Sequence, residues 1–293
     1  MVAALAVSLL VLLSGCSDAT VDELKRLGLP ESASDRGPYI HDLWIGAWIA
    51  AFIVGGFTWG LIGWASLRYR RRHSDDIPVQ VRYNAPIEML YTVAPVIAVA
   101  VLFYFTVQTQ NDVLEDVENP DHKVVVTAQQ WSWTFNYLGE DGAGGEDVYD
   151  RGTSAVEPDL WLVEDETVNF TLHSPDVLHS FFVPNFNFKM DVLPGRDQSF
   201  SLTPTKAGTY VGRCAELCGY QHSRMLFNVY VVSQEEFDAH MQDLLDADQT
   251  GILRGGSESE TVDGLEESQS DPETDDDSEA SNQDGQPDSG GES

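Results

Sequence analysis

Two long stretches of this sequence carry no charged residue, and they constrain its fold more than any other feature. They cover residues 43–67 and 89–111. Each is longer than the about 20 residues that a helix needs to cross the hydrocarbon core of a bilayer. Because only helices and closed barrels satisfy every backbone hydrogen bond in lipid, we predict a transmembrane helical hairpin within residues 39–112.

The loop between these stretches determines the predicted orientation. It concentrates arginine in an otherwise acidic chain, at Arg68, Arg70, Arg71, Arg72 and Arg82. Basic loops of this kind stay in the cytoplasm under the positive-inside rule. We therefore predict a two-pass protein of the cell membrane. Both termini, the N-terminal segment 16–38 and everything after the second span would then lie outside the cytoplasm.

The N-terminus is typical of a secretory signal peptide. Residues 2–13 are apolar apart from Ser8, and this run is too short for a membrane span and suits the core of a signal peptide. The LSGC that follows resembles a lipoprotein cleavage motif, so we predict removal of residues 1–15 and a lipid anchor at Cys16. No basic residue precedes Lys25, which departs from signal peptides. An unprocessed hydrophobic N-terminus is therefore the alternative.

Short apolar runs broken by Gly, Pro and Asp fill residues 123–232. Such spacing predicts an all-β sandwich or barrel and not alternating βαβ units. We place this domain at residues 119–250, with residues 139–152 as a hairpin loop or insertion. Ser233 and Glu236 have the spacing of a capping box, which predicts one terminal helix.

The charge balance is strongly acidic. Asp and Glu number 48 against 16 Lys and Arg, which gives a net charge of −32. Nucleic acid and anionic lipid are therefore poor partners, while a cationic partner or a salty habitat fits. After Arg254 the chain has neither a basic nor an aromatic residue. Such a segment cannot bury enough apolar surface to fold, so we predict a disordered acidic tail at residues 251–293.

The residues that carry chemistry lie in one stretch of twelve, from Cys214 to Met225. Its two cysteines, its histidine and its methionine are soft donors, which favour copper. A single-copper blue site needs only one Cys with two His and a weak Met, so the second Cys needs another explanation. Two thiolates can bridge two copper ions, and each ion then needs its own His. The loop supplies His222, and His179 is the candidate for the other.

Two other interpretations of Cys214 and Cys218 stay open. The pair could form a structural disulfide, which an oxidising compartment permits. With His179 and His222 it could also form a tetrahedral zinc site. A zinc site leaves Met225 without a role.

Four segments resemble cytochrome c oxidase subunit II in order and spacing. They are QQWSWTF at residues 129–135, DVLHSFFVP at 176–184, KMDVLPGR at 189–196 and GRCAELCGYQHSRM at 212–225. The resemblance runs from the membrane hairpin through the β-domain and leaves out the signal region, residues 139–152 and the tail. It implies an α + β membrane protein in which a two-helix transmembrane hairpin precedes a cupredoxin-like Greek-key β-sandwich.

The resemblance also implies a dinuclear copper centre, CuA, whose ligand positions are all filled here. In the family two cysteines bridge the ions, a histidine terminates each ion, and a methionine and a backbone carbonyl complete the shells. The matching residues are Cys214, Cys218, His179, His222, Met225 and, through its carbonyl, Glu216. The side chain at Glu216 would also reach a magnesium ion at the junction with the haem-bearing subunit.

Two further residues acquire a role through the resemblance. Trp131 matches the aromatic residue at which the electron enters from the donor, although a core or interface tryptophan is the ordinary interpretation. Glu88, seven residues before Pro95, matches a carboxylate at the mouth of a proton-uptake channel in the partner subunit. The ordinary interpretation of Glu88 is a helix-start carboxylate stabilised by the helix dipole.

The function implied by the resemblance is electron transfer in a respiratory haem–copper terminal oxidase. The chain would accept electrons from cytochrome c or a small blue copper protein. It would pass them to haem in subunit I, beside subunit III, for proton-pumping reduction of oxygen to water, and alone it would be non-catalytic. The alternatives are the CuA subunit of a nitric oxide reductase and a membrane-anchored copper-delivery protein. The acidic surface further suggests a halophilic archaeon as the source.

Overall fold

Three helices precede the β-domain in the computed structural model, which describes residues 18–70 and 80–255. They are α1 (Asp18–Lys25), α2 (Gly37–Arg68) and α3 (Ala85–Val113). The predicted signal peptide, Cys16, Arg71, Arg72 and residues 256–293 of the predicted tail lie outside the described residues.

The helices α2 and α3 are each long and apolar enough to cross a membrane. Their apolar side chains are exposed along most of their length, as expected of helices that face lipid or another subunit. Both extend beyond the charge-free stretches, and Pro38 and Pro86 lie in their first turns, where proline is well tolerated. The predicted helical hairpin is confirmed.

The start of α3 gives Glu88 a structural role. Asn84 caps the helix, since its side-chain oxygen accepts a hydrogen bond from the Ile87 N–H. The Glu88 carboxylate in turn accepts a hydrogen bond of 2.8 Å from the Asn84 N–H. This reciprocal arrangement satisfies backbone donors that a helix N-terminus otherwise leaves unpaired.

Within residues 114–255, all of which the structure describes, ten strands follow and form two five-stranded sheets. The strands are β1 (His122–Gln129), β2 (Ser132–Tyr137), β3 (Val148–Arg151), β4 (Asp159–Val163), β5 (Val168–His173), β6 (His179–Val183), β7 (Phe188–Val192), β8 (Gln198–Leu202), β9 (Gly208–Cys214) and β10 (Leu226–Val232). The first sheet has the order β3-β2-β1-β5-β8 and the second the order β4-β10-β9-β6-β7. The predicted all-β sandwich, cupredoxin-like in architecture, is confirmed.

Residues 139–152 are only partly the loop that the sequence suggested. After a 3-10 turn at Asp141–Ala143, the segment enters β3, which pairs antiparallel with β2. The Gly- and acid-rich composition concealed this strand, because β3 has only four residues and buries only Val148. Short edge strands of this kind carry little apolar alternation for a sequence pattern to detect.

Aromatic rings fill the space between the sheets. Trp133 of the first sheet packs edge-on against Phe227 of the second, with ring centroids 5.2 Å apart. Phe227 also stacks on Phe181 at 5.2 Å. All three side chains are almost fully buried. Large aromatic rings dominate core energetics and lose little freedom on packing. This cluster therefore supports the start of β6 and the end of β9, which lie next to it.

The terminal helix α4 (Gln234–Asp246) closes one end of the sandwich. The Ser233 side chain accepts a hydrogen bond from the Glu236 N–H, and Glu236 reaches back to the Ser233 N–H. The predicted capping box is therefore confirmed. Phe237, Met241 and Leu244 form the buried face of the helix.

His122, the first residue of β1, lies between two carboxylates next to α4. Its Nδ1 is 2.8 Å from Glu140 and its Nε2 is 2.7 Å from Glu166. The ring also packs against Phe237, with centroids 4.9 Å apart. Burial disfavours the imidazolium, but the two carboxylates outweigh it and raise the pKa of His122 above its ordinary value.

We predict that the stability of the β-domain falls as pH rises above about 6.5, the ordinary pKa of histidine. A raised pKa in the folded state stabilises the fold below 6.5 and loses that contribution as pH rises through the folded-state pKa. Thermal unfolding of the purified chain from pH 5.5 to 9 measures this slope. The His122→Gln variant should show a smaller slope, and the part that stays comes from Asp150, whose pKa burial raises to about 7, and from His179, whose pKa is also raised. Phe237→Leu, which loosens the packing but leaves the ionisable groups, should be less stable at every pH and keep the slope.

Candidate metal centre

Strand pairing brings the predicted metal ligands together. His179 is the first residue of β6 and Cys214 is the last residue of β9. The two strands pair antiparallel with Phe181 opposite Cys214, and the Ala215 N–H donates to the Ser180 carbonyl. The ends that carry the histidine and the cysteine are therefore adjacent.

The chain between β9 and β10 forms a closed loop over these ends. The Cys214 N–H donates to the Met225 carbonyl at 3.0 Å, so the loop begins and ends at one hydrogen-bonded pair. A 3-10 turn at His222–Arg224 carries His222 back towards Cys218. The indole N–H of Trp133 also donates to the Met225 carbonyl, at 3.3 Å. The aromatic core thereby supports the loop.

Each cysteine sulfur faces the other and also faces its own imidazole. The two Sγ atoms are 3.8 Å apart. Cys214 Sγ lies 3.8 Å from His179 Nδ1, and Cys218 Sγ lies 3.7 Å from His222 Nδ1. Both thiols are free, so the alternative of a disulfide between Cys214 and Cys218 is absent from the structure.

Two weaker donors complete the arrangement. The Glu216 carbonyl oxygen lies 3.2 Å from Cys214 Sγ, and the Met225 sulfur lies 3.8 Å from Cys218 Sγ. Within residues 18–70 and 80–255, the one group of His, Cys and acidic side chains close enough to hold a metal is His179, Cys214 and Cys218, whose ligand atoms lie within 4.8 Å of one another. All three side chains are buried, which suits soft ligands held away from water.

The two sulfurs affect each other's ionisation. The hydrogen bond between them lowers the pKa of Cys214 to about 3 and raises the pKa of Cys218, because two neighbouring thiolates repel each other. The hydrogen bond to His179 further lowers the pKa of Cys214. The thiolate is the form that binds metal, so binding of a metal ion at these sulfurs would release protons.

Asp176 orients His179, and sequence reasoning missed it. Its carboxylate is 2.9 Å from His179 Nε2, which leaves Nδ1 directed at Cys214. The hydrogen bonds that Asp176 accepts from His179, Gln130 and Val177 outweigh burial and lower its pKa. Carboxylates commonly fix metal-ligating imidazoles in this way. The sequence offered one signal for this role, namely an acidic residue three positions before a candidate ligand histidine.

Trp131 lies against the cysteine loop. It occupies the turn between β1 and β2, next to Gln130, whose side-chain amide donates to the Cys218 carbonyl at 2.7 Å. A Cβ atom placed on Gly219 would come within 3.1 Å of the indole, so glycine permits the close approach. The Gln130 N–H donates to Asp176 at 2.7 Å. The turn is thus bonded both to the loop and to the residue that orients His179.

The remaining predicted site residue is not part of this group. Glu88 stands at the start of α3, whereas the β-domain follows the end of that helix. Among the other histidines, His173 pairs with Asp197 at 2.7 Å, and His240 stacks on Trp161 with centroids 4.4 Å apart. His73 lies outside the described residues.

Comparison with known proteins gives a family model and relatives that all carry the name of the same subunit. Residues 123–234 match the family "Cytochrome C oxidase subunit II, periplasmic domain". A probable cytochrome c oxidase subunit 2 of Streptomyces avermitilis is 42% identical over 279 residues, covering 84% of this chain and 88% of the relative. The cytochrome c oxidase subunit 2 of Mycobacterium tuberculosis is 35% identical over 297 residues, covering 83% of this chain and 81% of the relative.

A solved structure shows a weaker likeness. The periplasmic domain of subunit II of cytochrome oxidase from Bradyrhizobium japonicum is 25% identical and covers 45% of this chain and 99% of its own, with a TM-score of 0.40. The assignment of the fold rests on the strand order described above. The relatives named here are bacterial, so they lend no support to the predicted archaeal, halophilic source.

We predict that Asp176→Asn lowers the copper affinity of the purified chain by roughly tenfold or more, since losing an outer partner of a metal-ligating histidine commonly costs that much. The amide can still accept from His179 but supplies no charge and no second acceptor for Gln130. Competition against a chelator measures the affinity. Asp197→Asn is the matched control, because Asp197 pairs with His173 away from the loop. Equal losses in both variants would contradict the assigned role.

Proposed function

The chain belongs to the cytochrome c oxidase subunit II family, and we propose that the cysteine loop and His179 form its dinuclear copper centre, CuA. It is a two-pass membrane subunit of an oxidoreductase complex, and its role there is to relay electrons. Copper bound at this site would supply one-electron oxidation and reduction. Cys214 and Cys218 would bridge, His179 and His222 would terminate, and Met225 and the Glu216 carbonyl would complete the donor set.

A single observation carries this proposal: two facing sulfurs each have their own imidazole and their own weak donor. One tetrahedral zinc ion would leave the Met225 thioether without a role, whereas thioethers suit copper. A copper-delivery protein needs a metal that exchanges readily. Ligands that are buried above an aromatic core favour retention instead.

The arrangement of the site favours Trp131 as the point of electron entry. Its turn is hydrogen-bonded to the cysteine loop through Gln130 and to the orienting carboxylate of Asp176. The donor would be cytochrome c or a small blue copper protein, and the acceptor would be haem in subunit I, with subunit III as a neighbour. The names of the relatives favour an oxidase over a nitric oxide reductase.

The finer features of the assembly are part of the same proposal. Described arginines at positions 68, 70 and 82 flank the connection between α2 and α3 and support a cytoplasmic loop, with the β-domain outside. The lipid anchor at Cys16 stays a prediction. So do a magnesium ion at the Glu216 side chain and a proton-channel role for Glu88, whose carboxylate caps α3.

We predict that the purified full chain binds two copper ions that share one unpaired electron. Metal analysis gives the number of ions per chain, and electron paramagnetic resonance shows whether the electron is shared. The Cys218→Ser variant should retain at most one copper with a localised spectrum, because it removes one bridge. One copper with an ordinary blue-site spectrum in the unaltered chain would refute the dinuclear assignment.

We also predict that Trp131→Gln slows reduction of the copper by an external donor and leaves copper content and spectrum unchanged. The indole lies beside the ligands and is not one of them, so its loss should affect entry of the electron and not the metal. Stopped-flow reduction of the assembled oxidase measures this rate. Tyr220→Gln, at a 93% exposed aromatic of the same loop, is the control. Equal slowing in both variants would show that only general contact with the donor matters.

A further inference from the structure

The segment of residues 31–35, which leads into α2, is hydrogen-bonded to the β-domain. The Ala33 N–H donates to the Asn185 carbonyl at 2.7 Å, and the Thr205 N–H donates to the Ala33 carbonyl at 2.9 Å. Asp35 exchanges two hydrogen bonds with Thr203, at 3.0 and 2.9 Å. The segment therefore pairs with the chain after β8 in the manner of a short added strand.

Arg36, which follows this segment and precedes α2, is buried and only 6% exposed. Its guanidinium donates three hydrogen bonds to carbonyl oxygens from three places in the fold. They belong to Ser201 of β8 at 3.2 Å, Asp112 near the end of α3 at 2.6 Å, and Glu115 in the linker to β1 at 3.2 Å. The Asp35 carboxylate lies 3.4 Å from Arg36 Nε and compensates the buried positive charge.

One side chain thus joins the outer ends of both spanning helices to the β-domain. The Asp112 carbonyl is among those that a helix C-terminus leaves unpaired, and a cation is favourable there because of the helix dipole. The planar guanidinium of arginine spreads its donors over three nitrogens and so reaches acceptors in different places, whereas the three donors of a lysine ammonium lie on one atom. Without this contact, the remaining attachments among the described residues would be the added strand, the linker of residues 114–121, and the packing of Ile40 and Val113 against the core of the domain.

We propose that Arg36 is a positioning residue for electron transfer from the copper centre to the partner subunit. It fixes the height and tilt of the β-domain over the membrane helices, which themselves pack in the complex. Electron transfer between fixed centres slows steeply with distance, so a domain that rocks on its attachments would deliver electrons more slowly. This inference rests on the proposed function of the copper site.

The kinetic test uses the assembled oxidase with Arg36→Met and Arg36→Lys. We expect Arg36→Met to slow electron transfer from copper to haem by up to about 100-fold, since misplacement on the order of 1 Å can cost that much in enzymes. Reduction of copper by the external donor and the copper spectrum should not change. Arg36→Lys should be intermediate, because it keeps the charge and loses the fork.

The matched control is Lys206→Met, which breaks an ion pair of 2.8 Å with Glu31 between the same segment and the same domain. That ion pair is exposed and contributes little to stability. Reduction of copper by the donor and electron transfer from copper to haem should therefore keep their rates. If Arg36→Met leaves the copper-to-haem rate unchanged, or slows both rates alike, the proposed role is wrong.

A second measurement remains valid if Arg36→Met fails to assemble with its partner. Nitroxide side chains at positions 53 on α2 and 156 on the β-domain report the distance between the two parts in the full chain in lipid nanodiscs. We expect a narrow distance distribution for the unaltered sequence and a clearly broader one for Arg36→Met. Equal widths would overturn the proposal. Because this measurement needs no copper, it separates failure of the positioning role from failure of the copper assignment.

Discussion

The antiparallel pairing of β6 with β9 is the contact on which the rest of the site depends. His179 and Cys214 are 35 positions apart in the chain and meet only because these strands are neighbours. The closed loop then follows from a second constraint, the hydrogen bond between the Cys214 N–H and the Met225 carbonyl. These two constraints place Cys218 and His222 opposite His179 and Cys214.

The aromatic core explains how such a loop can hold metal ligands in fixed positions. Trp133, Phe181 and Phe227 lie directly beneath the strand ends, and Trp133 donates to the loop itself. Rings packed to the density of a crystal leave few alternative positions for the backbone above them. A site that changes its charge by one electron without much rearrangement requires this kind of support.

The outer face of the loop is tied to the same framework by Asp176 and Gln130. Asp176 accepts from His179 and from the Gln130 backbone, and the Gln130 side chain donates to Cys218. The turn that carries Trp131, the proposed point of electron entry, and the proposed copper ligands therefore belong to one hydrogen-bonded unit. Arg36 extends the same principle to the membrane, since it links the helices to the domain that carries the ligands.

Local features were readable from the sequence because they depend on residues close together in the chain. The two spanning helices follow from runs without charge, the capping box of α4 from Ser233 and Glu236, and the soft donor set from the residues between Cys214 and Met225. The alternation of short apolar runs was enough to predict a β-sandwich, and the spacing of the motifs was enough to indicate the family.

The tertiary structure alone decided which distant groups meet. Only the fold assigns each cysteine its own histidine, gives Asp176 and Gln130 their roles, reveals β3 in a segment predicted as loop, and brings Arg36 to the ends of both helices. The physical reason is that these contacts join residues far apart in the chain, and their geometry depends on strand order and register. Sequence patterns record the local preferences of a segment and not the neighbours that folding gives it.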